Sequence, residues 1–200
     1  MGFNYCLDSN IRALFFVLVY DNLYIYFMKV EKKEWEMKLK NLHTRTKGIT
    51  SEHQIDYKNL LKKVHIGKTA LDVGCGTCWL KKYLGKSHYN GIDAFDRVEH
   101  KGLNVYNGII ETYEFGTQKF ETLFVFAALD GMMDLELAFV KMKDVCSKNI
   151  VILTGINIQP DLYHTHLITE KLINNLMDGF ELTHRTQVHE KIVFLEYTKI

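Results

Sequence analysis

Thr69-Ala70-Leu71-Asp72-Val73 is a short, mostly apolar run that stops at Gly74-Cys75-Gly76. The length of the run and its glycine boundary read as a buried strand followed by a sharp turn into a helix. Glycine permits that turn and lets a ligand approach the backbone closely. In an open parallel sheet, ligands bind beyond the carboxyl ends of the strands, which is where Gly74 and Gly76 fall. A chain organised around this segment is predicted to be an α/β protein with a ligand site at the end of its first strand.

The downstream pattern agrees. Helix signals over residues 79–84, 135–145 and 167–177 alternate with strand signals over 89–92, 103–106, 122–127 and 150–154. Such alternation implies a parallel sheet with helices on both faces. The end of the chain breaks the pattern. Residues 181–188 and 192–198 are consecutive strand signals joined by His189-Glu190-Lys191, which predicts an antiparallel hairpin. Upstream, Val30, Trp35, Met37, Leu39 and Leu42 recur among Lys and Glu as on an amphipathic helix. Residues 43–50 read as a loop. Ser51 followed by Gln54 has the spacing of a capping box, predicting a helix that carries Ile55, Leu60, Leu61 and Val64 to the core.

Composition narrows the class. At 200 residues, with a formal net charge of +1, the chain suits one α/β domain and projects no global field toward nucleic acid or an anionic membrane. A local basic patch among residues 29–40 is compatible with this. Cys6, Cys75, Cys78 and Cys146 are too few and too scattered for a disulfide framework, so a reducing cytoplasm is the expected location. Pro160 is the lone proline, and no linker or repeat interrupts the chain. Residues 13–20 form an apolar run, broken by Asp21-Asn22 and resumed over 23–28. The run is shorter than the roughly 20 residues of a spanning helix and lacks a small-residue cleavage site. It reads as an added element packed on the domain, or as a start assigned too early with Met28 the functional start. Membrane or partner contact through 13–28 is the sharper alternative. The expected division is an extension over residues 1–27 and one domain over 28–200, with 28–66 a helical lid and 67–200 the core.

The glycine loop is open to three ligand chemistries. A dinucleotide site wants Gly-x-Gly-x-x-Gly, and Trp79 stands at the third glycine position, where an indole is a poor replacement. Cys75-Gly76-Thr77-Cys78 has the Cys-x-x-Cys spacing of redox and zinc sites. A structural zinc needs four ligands and no second Cys pair exists, so both cysteines read as small residues lining the turn and no metal is expected. The third chemistry is a ribose-bearing ligand. Asp93 lies about 20 residues after Asp72, at the next strand end, where a carboxylate accepts hydrogen bonds from ribose hydroxyls.

Leu71-Asp72-Val73-Gly74-Cys75-Gly76-Thr77 resembles motif I of the class I S-adenosylmethionine-dependent methyltransferases. Cys78 departs from that family, which most often has a third glycine there. The resemblance runs from Leu71 to the C-terminus. It implies a Rossmann-like, doubly wound, seven-stranded sheet, mostly parallel, ending in an antiparallel hairpin. It also implies S-adenosyl-L-methionine as cofactor and S-adenosyl-L-homocysteine as product. Asp93 in Gly91-Ile92-Asp93-Ala94 corresponds to the ribose-binding acid. Gly108-Ile109-Ile110-Glu111 resembles the segment flanking the adenine, with Ile109 where an acid is common. The stretch from Phe120 to Asp130 resembles motif IV, with Glu121 in place of the usual Asp. The cofactor-binding residues so implied are Asp72, Gly74, Cys75, Gly76, Asp93, Ala94, Ile110 and Ala127.

Methyl transfer from a sulfonium is an in-line displacement, and a general base is needed only when the nucleophile arrives protonated. The candidate catalytic residues are His164 and His166, on the loop after the fifth strand, and Asp130, just past the fourth. Each has a plainer reading, as a surface histidine or a helix cap. The position over residues 127–130 lacks the Asn/Asp-Pro-Pro-aromatic motif of base-amine methyltransferases, and no Pro-Cys nucleophile is present. With a near-neutral charge, this favours a small-molecule acceptor, methylated on oxygen, nitrogen or carbon, over nucleic acid or protein. Specificity is expected from Trp35, His43, Arg45, His53 and Tyr57. A catalytically silent binding or regulatory protein of the same fold is the alternative.

Overall fold

The computed structural model describes residues 29–44, 55–84 and 88–200. The apolar extension, Arg45, His53 and the Ser51–Gln54 capping box lie outside the described residues. Among those described, the strands are β1 (Ala70–Val73), β2 (Tyr89–Asp93), β3 (Val105–Asn107), β4 (Phe120–Phe126), β5 (Cys146–Gly155), β6 (Phe180–His189) and β7 (Ile192–Lys199). The helices are α1 (Lys32–Thr44), α2 (Tyr57–Leu61), α3 (Lys81–Leu84), α4 (Leu135–Val145) and α5 (Glu170–Leu176).

The strands form one seven-stranded sheet in the order β3-β2-β1-β4-β5-β7-β6. β1 pairs in parallel with both β2 and β4, β2 with β3, and β4 with β5. β7 runs antiparallel between β5 and β6. The chain winds outward from β1 to β3, then returns to place β4 on β1's other side. That reversal creates the crevice in which ligands of doubly wound sheets bind, at the carboxyl ends of β1 and β4.

β1, β4, β5 and β7 are buried on both faces, which is why they read as nearly continuous apolar runs. One face packs on α4, whose Leu135, Ala138, Phe139, Met142 and Val145 recur at helical spacing and meet Leu71, Leu123 and Val125. The other face packs Phe124, Val151 and Phe194 against Leu60, Leu61 and Leu80. Each fully buried side chain of this size contributes about 1.5–3 kcal/mol of transfer free energy. The hairpin joint is two residues, Glu190-Lys191, and β6 forms a largely exposed edge.

The boundaries differ from expectation in instructive places. The helix expected over 79–84 is reduced to Lys81–Leu84. Cys78 adopts φ +58°, a left-handed conformation that delays helix entry. The described helix α2 is capped by Asp56, whose side chain accepts from Asn59 N, and Ile55, Leu60, Leu61 and Val64 are buried as expected. α5 starts later than expected, at Glu170, because Thr169 caps it by accepting from Leu172 N. On α1, Trp35 and Lys38 are buried whereas Met37 is exposed.

α1 lies across the carboxyl ends of the strands. Trp35 Nε1 donates to the Gly131 carbonyl at 2.8 Å, Lys38 Nζ to His164 O at 3.2 Å and Asn41 Nδ2 to Leu162 O at 3.3 Å. Just before it, Val30 N donates to Met133 O at 2.9 Å, and Lys29 forms an isolated antiparallel bridge with Asp134. No helix among the described residues is long and apolar enough to cross a membrane.

Candidate functional site

The turn after β1 is shaped by close approach. Gly74 has φ +70°, and a Cβ placed on it would stand 2.6 Å from Ala128 Cβ, at the end of β4. Gly74 N and Cys75 N both donate to Ile92 O, at 2.8 and 3.1 Å, tying the turn to β2. Gly76 has φ +51°, with open space where a side chain would stand. Its N–H donates to Asp93 Oδ2 at 2.8 Å, and Phe95 N–H donates to Asp93 Oδ1 at 2.9 Å. Asp93 is only 8% exposed, so both charge-assisted bonds sit in a largely dry setting.

Above this turn is a cavity of about 510 Å³. Gly74, Gly76, Asp93, Ala94, Ile110 and Ala127 line it. Ala127 has φ +54°, an uncommon conformation for a residue with a Cβ, costing roughly 1–2 kcal/mol. Its amide donates to Leu153 O at 2.8 Å, which fixes the strand end. Glu111, at the edge of the cavity, is buried, and its Oε1 accepts from Met133 N at 2.8 Å, steadying the segment that leads into α4. Arg97 also lines the cavity, with Nε 3.9 Å from Asp93 Oδ1.

The other wall is aromatic. Trp35 from α1, Tyr57 from α2, Trp79 from the turn and Phe126 from β4 line it. The Tyr57 and Trp79 ring centroids are 4.4 Å apart, and each lies 6.1 Å from Phe126. Trp79, which argued against a dinucleotide loop, belongs to this group.

Two of the residues implied as cofactor ligands do not line the cavity. Asp72 is buried beneath the turn, where its Oδ2 accepts from Tyr89 OH at 2.9 Å. Burial pushes its carboxyl up to about 7, with the Tyr89 hydrogen bond pulling the other way. Cys75 turns its sulfur inward. Its Sγ lies 3.7 Å from Cys78 Sγ and 4.0 Å from His100 Nε2. Within this pair, the contact with its partner pushes Cys75 well above the ordinary thiol range and draws Cys78 below it. His100 lies on a 3₁₀ turn over Val98–His100 and donates from Nε2 to Gly76 O at 2.8 Å.

The candidate bases lie outside the cavity lining. Asp130 sits on a 3₁₀ turn over Leu129–Gly131, one residue before the cavity-lining Gly131. Its Oδ2 is 3.3 Å from His164 Nε2, and His164 Nδ1 is 2.8 Å from Asp161 Oδ1. The structure therefore joins Asp130 and His164, and adds Asp161. Burial raises Asp161, but the amides of Tyr163 and His164 and the His164 ring more than offset it, holding the carboxyl below its ordinary range. His166 is buried, and its Nε2 donates to Met132 O at 2.8 Å. Sequence reading missed both Asp161 and His100. His100 reaches Gly76 from 24 residues away by folding, whereas Asp161 meets His164 three residues on, within one local turn.

No known family profile matches this chain, and no characterised protein matches it by sequence. Solved structures do match in fold. The N-methyltransferase NodS from Bradyrhizobium japonicum WM9, in complex with S-adenosyl-L-homocysteine, superimposes with a TM-score of 0.65 at 12% identity, covering 83% of this chain and 98% of that one. The 1,6-didemethyltoxoflavin-N1-methyltransferase from Burkholderia thailandensis, with 1,6-didemethyltoxoflavin and S-adenosylhomocysteine bound, gives 0.57 at 12% identity, over 71% of this chain and 75% of that one. The [4+2]-cyclase SpnF gives 0.58 at 12% identity, over 71% and 78%. The chain has the Rossmann-like fold of the S-adenosylmethionine-dependent methyltransferases.

Proposed function

We propose that this chain binds S-adenosyl-L-methionine and transfers its methyl group to a small-molecule acceptor. The pairing of Asp93 with Gly76 N–H at the floor of the cavity carries this reading. Each Asp93 oxygen accepts one backbone N–H, and a carboxylate oxygen has two lone-pair sites. Capacity remains for the hydroxyls of a ribose. The open space at Gly76 lets a ligand lie against the backbone, and Ala94, Ile110 and Ala127 offer small or apolar surface for an adenosine. These residues fit the cofactor.

When bound, the cofactor supplies a methyl group already activated by its sulfonium charge. The chain's task is then to hold the acceptor in line and to exclude water. Trp35, Leu39 and Tyr57 bring the segment before β1 to the cavity, and residues 28–66 are read as its lid. The aromatic wall suits a flat or cationic acceptor, through stacking or cation–π attraction. The Asp130–His164 pair next to Gly131 stands outside the cavity lining, so methyl transfer here rests on positioning the acceptor.

One observation favours a second reading, binding without methyl transfer: Asp130, His164 and His166 all stand outside the cavity lining. The cyclase neighbour also carries this fold under another name. Titration calorimetry with S-adenosyl-L-methionine tests the first step, and absence of binding would overturn both readings. Transfer of a labelled methyl group to a panel of small amines and hydroxyls separates them. Tight binding with no transfer across the panel favours the second.

A further inference from the structure

We propose that Cys75, Cys78 and His100 form a binding site for a soft divalent cation of the zinc type, beneath the glycine loop. The sequence supplied a Cys-x-x-Cys pair with no visible partner. The fold supplies the missing donor from the turn after β2. The two sulfurs and His100 Nε2 all lie within 4.8 Å of one another. A tetrahedral zinc with Zn–S bonds of about 2.3 Å separates two thiolate sulfurs by about 3.8 Å. The observed Cys75–Cys78 separation is 3.7 Å. The Cys75 Sγ to His100 Nε2 distance of 4.0 Å needs only a few tenths of an ångström of closure.

Three further features belong to this site and not to the cofactor cavity. Cys78 sits at φ +58°, where glycine would be unstrained, so a side chain is kept where the backbone disfavours one. Gly91 on β2 leaves room for the Cys75 sulfur, since a Cβ there would stand 2.7 Å from it. The donors are 2%, 5% and 9% exposed for Cys75, Cys78 and His100, so they sit together in a largely dry setting.

The donor chemistry selects the ion. Two thiolates and an imidazole favour zinc over magnesium or calcium, which prefer oxygen. Binding releases the two thiol protons to solvent, and the two thiolate charges neutralise the dication, leaving no net charge buried. His100 presents the Nε2 lone pair by carrying its proton on Nδ1, which exchanges its bond to Gly76 O for one to the metal. Three protein donors leave the fourth tetrahedral position to a water. The metal would clamp the turn after β2 to the glycine loop, alongside the Asp93–Gly76 bond.

The test uses the full chain, stripped with a chelator and titrated with zinc alone against a chromophoric competitor, without S-adenosyl-L-methionine. One zinc per chain is expected, and cobalt in its place should give the absorption of a tetrahedral thiolate site. His100→Ala and Cys78→Gly should weaken zinc binding by about 100-fold or more. Cys78→Gly is the informative variant, because glycine suits φ +58° and the metal-free protein should fold at least as well as wild type. Cys146→Ser, at a buried cysteine outside the cluster, should bind zinc normally. The proposal fails if the wild type takes up no stoichiometric zinc, if Cys78→Gly and His100→Ala bind it unchanged, or if Cys75 and Cys78 form a disulfide whose reduction restores no zinc binding.

Discussion

The amide of Gly76 donates to Asp93 Oδ2 at 2.8 Å, so the loop after β1 and the end of β2 are one hydrogen-bonded unit. Losing the carboxylate therefore disturbs two things at once: the acceptor for a ribose and the backbone geometry of the loop. Asp93→Ala is expected to weaken S-adenosyl-L-methionine binding by about 100-fold or more, since hydrogen bonds to a charged group contribute about 1.5–3 kcal/mol each. Asp93→Asn, which keeps an acceptor oxygen, should lose less. Calorimetry on both variants checks the order, and equal affinity to wild type in both would place the ribose elsewhere.

The two glycines of the loop should fail in different ways. Gly76→Arg fills the open space above the loop from a strained backbone and is expected to abolish cofactor binding while the protein stays folded. Gly74→Ala drives a methyl group to within 2.6 Å of Ala128 Cβ and should destabilise the fold itself, by about 1–3 kcal/mol. Urea unfolding distinguishes them. A Gly74→Ala midpoint equal to wild type would show that β1 and β4 can part without cost.

His164 and His166 should matter less to turnover than a general base would. Neither lines the cavity, and His166 is tied to the Met132 carbonyl. Alanine at either position is expected to change kcat by less than about tenfold, against the 10²–10⁴ that a positioned base contributes. A loss of about 100-fold in His164→Ala, with cofactor affinity unchanged, would instead put its imidazole at the reacting atoms.

Phe139 is a fully buried side chain on α4, packed against the sheet face that contains Leu123 and Val125. Phe139→Ala should cost about 3–5 kcal/mol of stability, by lost transfer energy and the cavity left behind. Thermal or urea unfolding measures it. A cost under about 1 kcal/mol would mean that α4 repacks on the sheet.

The chain announced its sheet through strands such as β4 and β5, whose residues 123–126 and 150–153 are buried on both faces and form unbroken apolar runs. The glycine loop was legible because its spacing is a backbone requirement. The strand order was not, since placing β7 between β5 and β6 depends on long-range pairing that no local pattern encodes. Local pattern also overextended the helix after the loop, because the left-handed backbone at Cys78 leaves no mark on hydrophobic periodicity. Asp72 and Cys75 carried the motif by name, yet their side chains serve the interior beneath the loop. His100 could not be found by spacing, because its partners Cys75 and Gly76 lie on another segment, whereas Asp161 meets His164 three residues on, in a turn that hydrophobic periodicity does not mark.

β7 follows β6 in the sequence but stands inside it in the sheet, against β5. During synthesis, β5 must therefore wait with an open flank until both later strands have cleared the ribosome. Premature termination anywhere before Ile192 removes the innermost strand of that half and strips β6 of its only pairing partner among the described strands. A fragment ending there would leave residues 149–155 of β5 without their partner strand on that side, an apolar edge of the form on which chains aggregate. Of the described strands, the one made last is thus the one that covers this edge of the nascent chain.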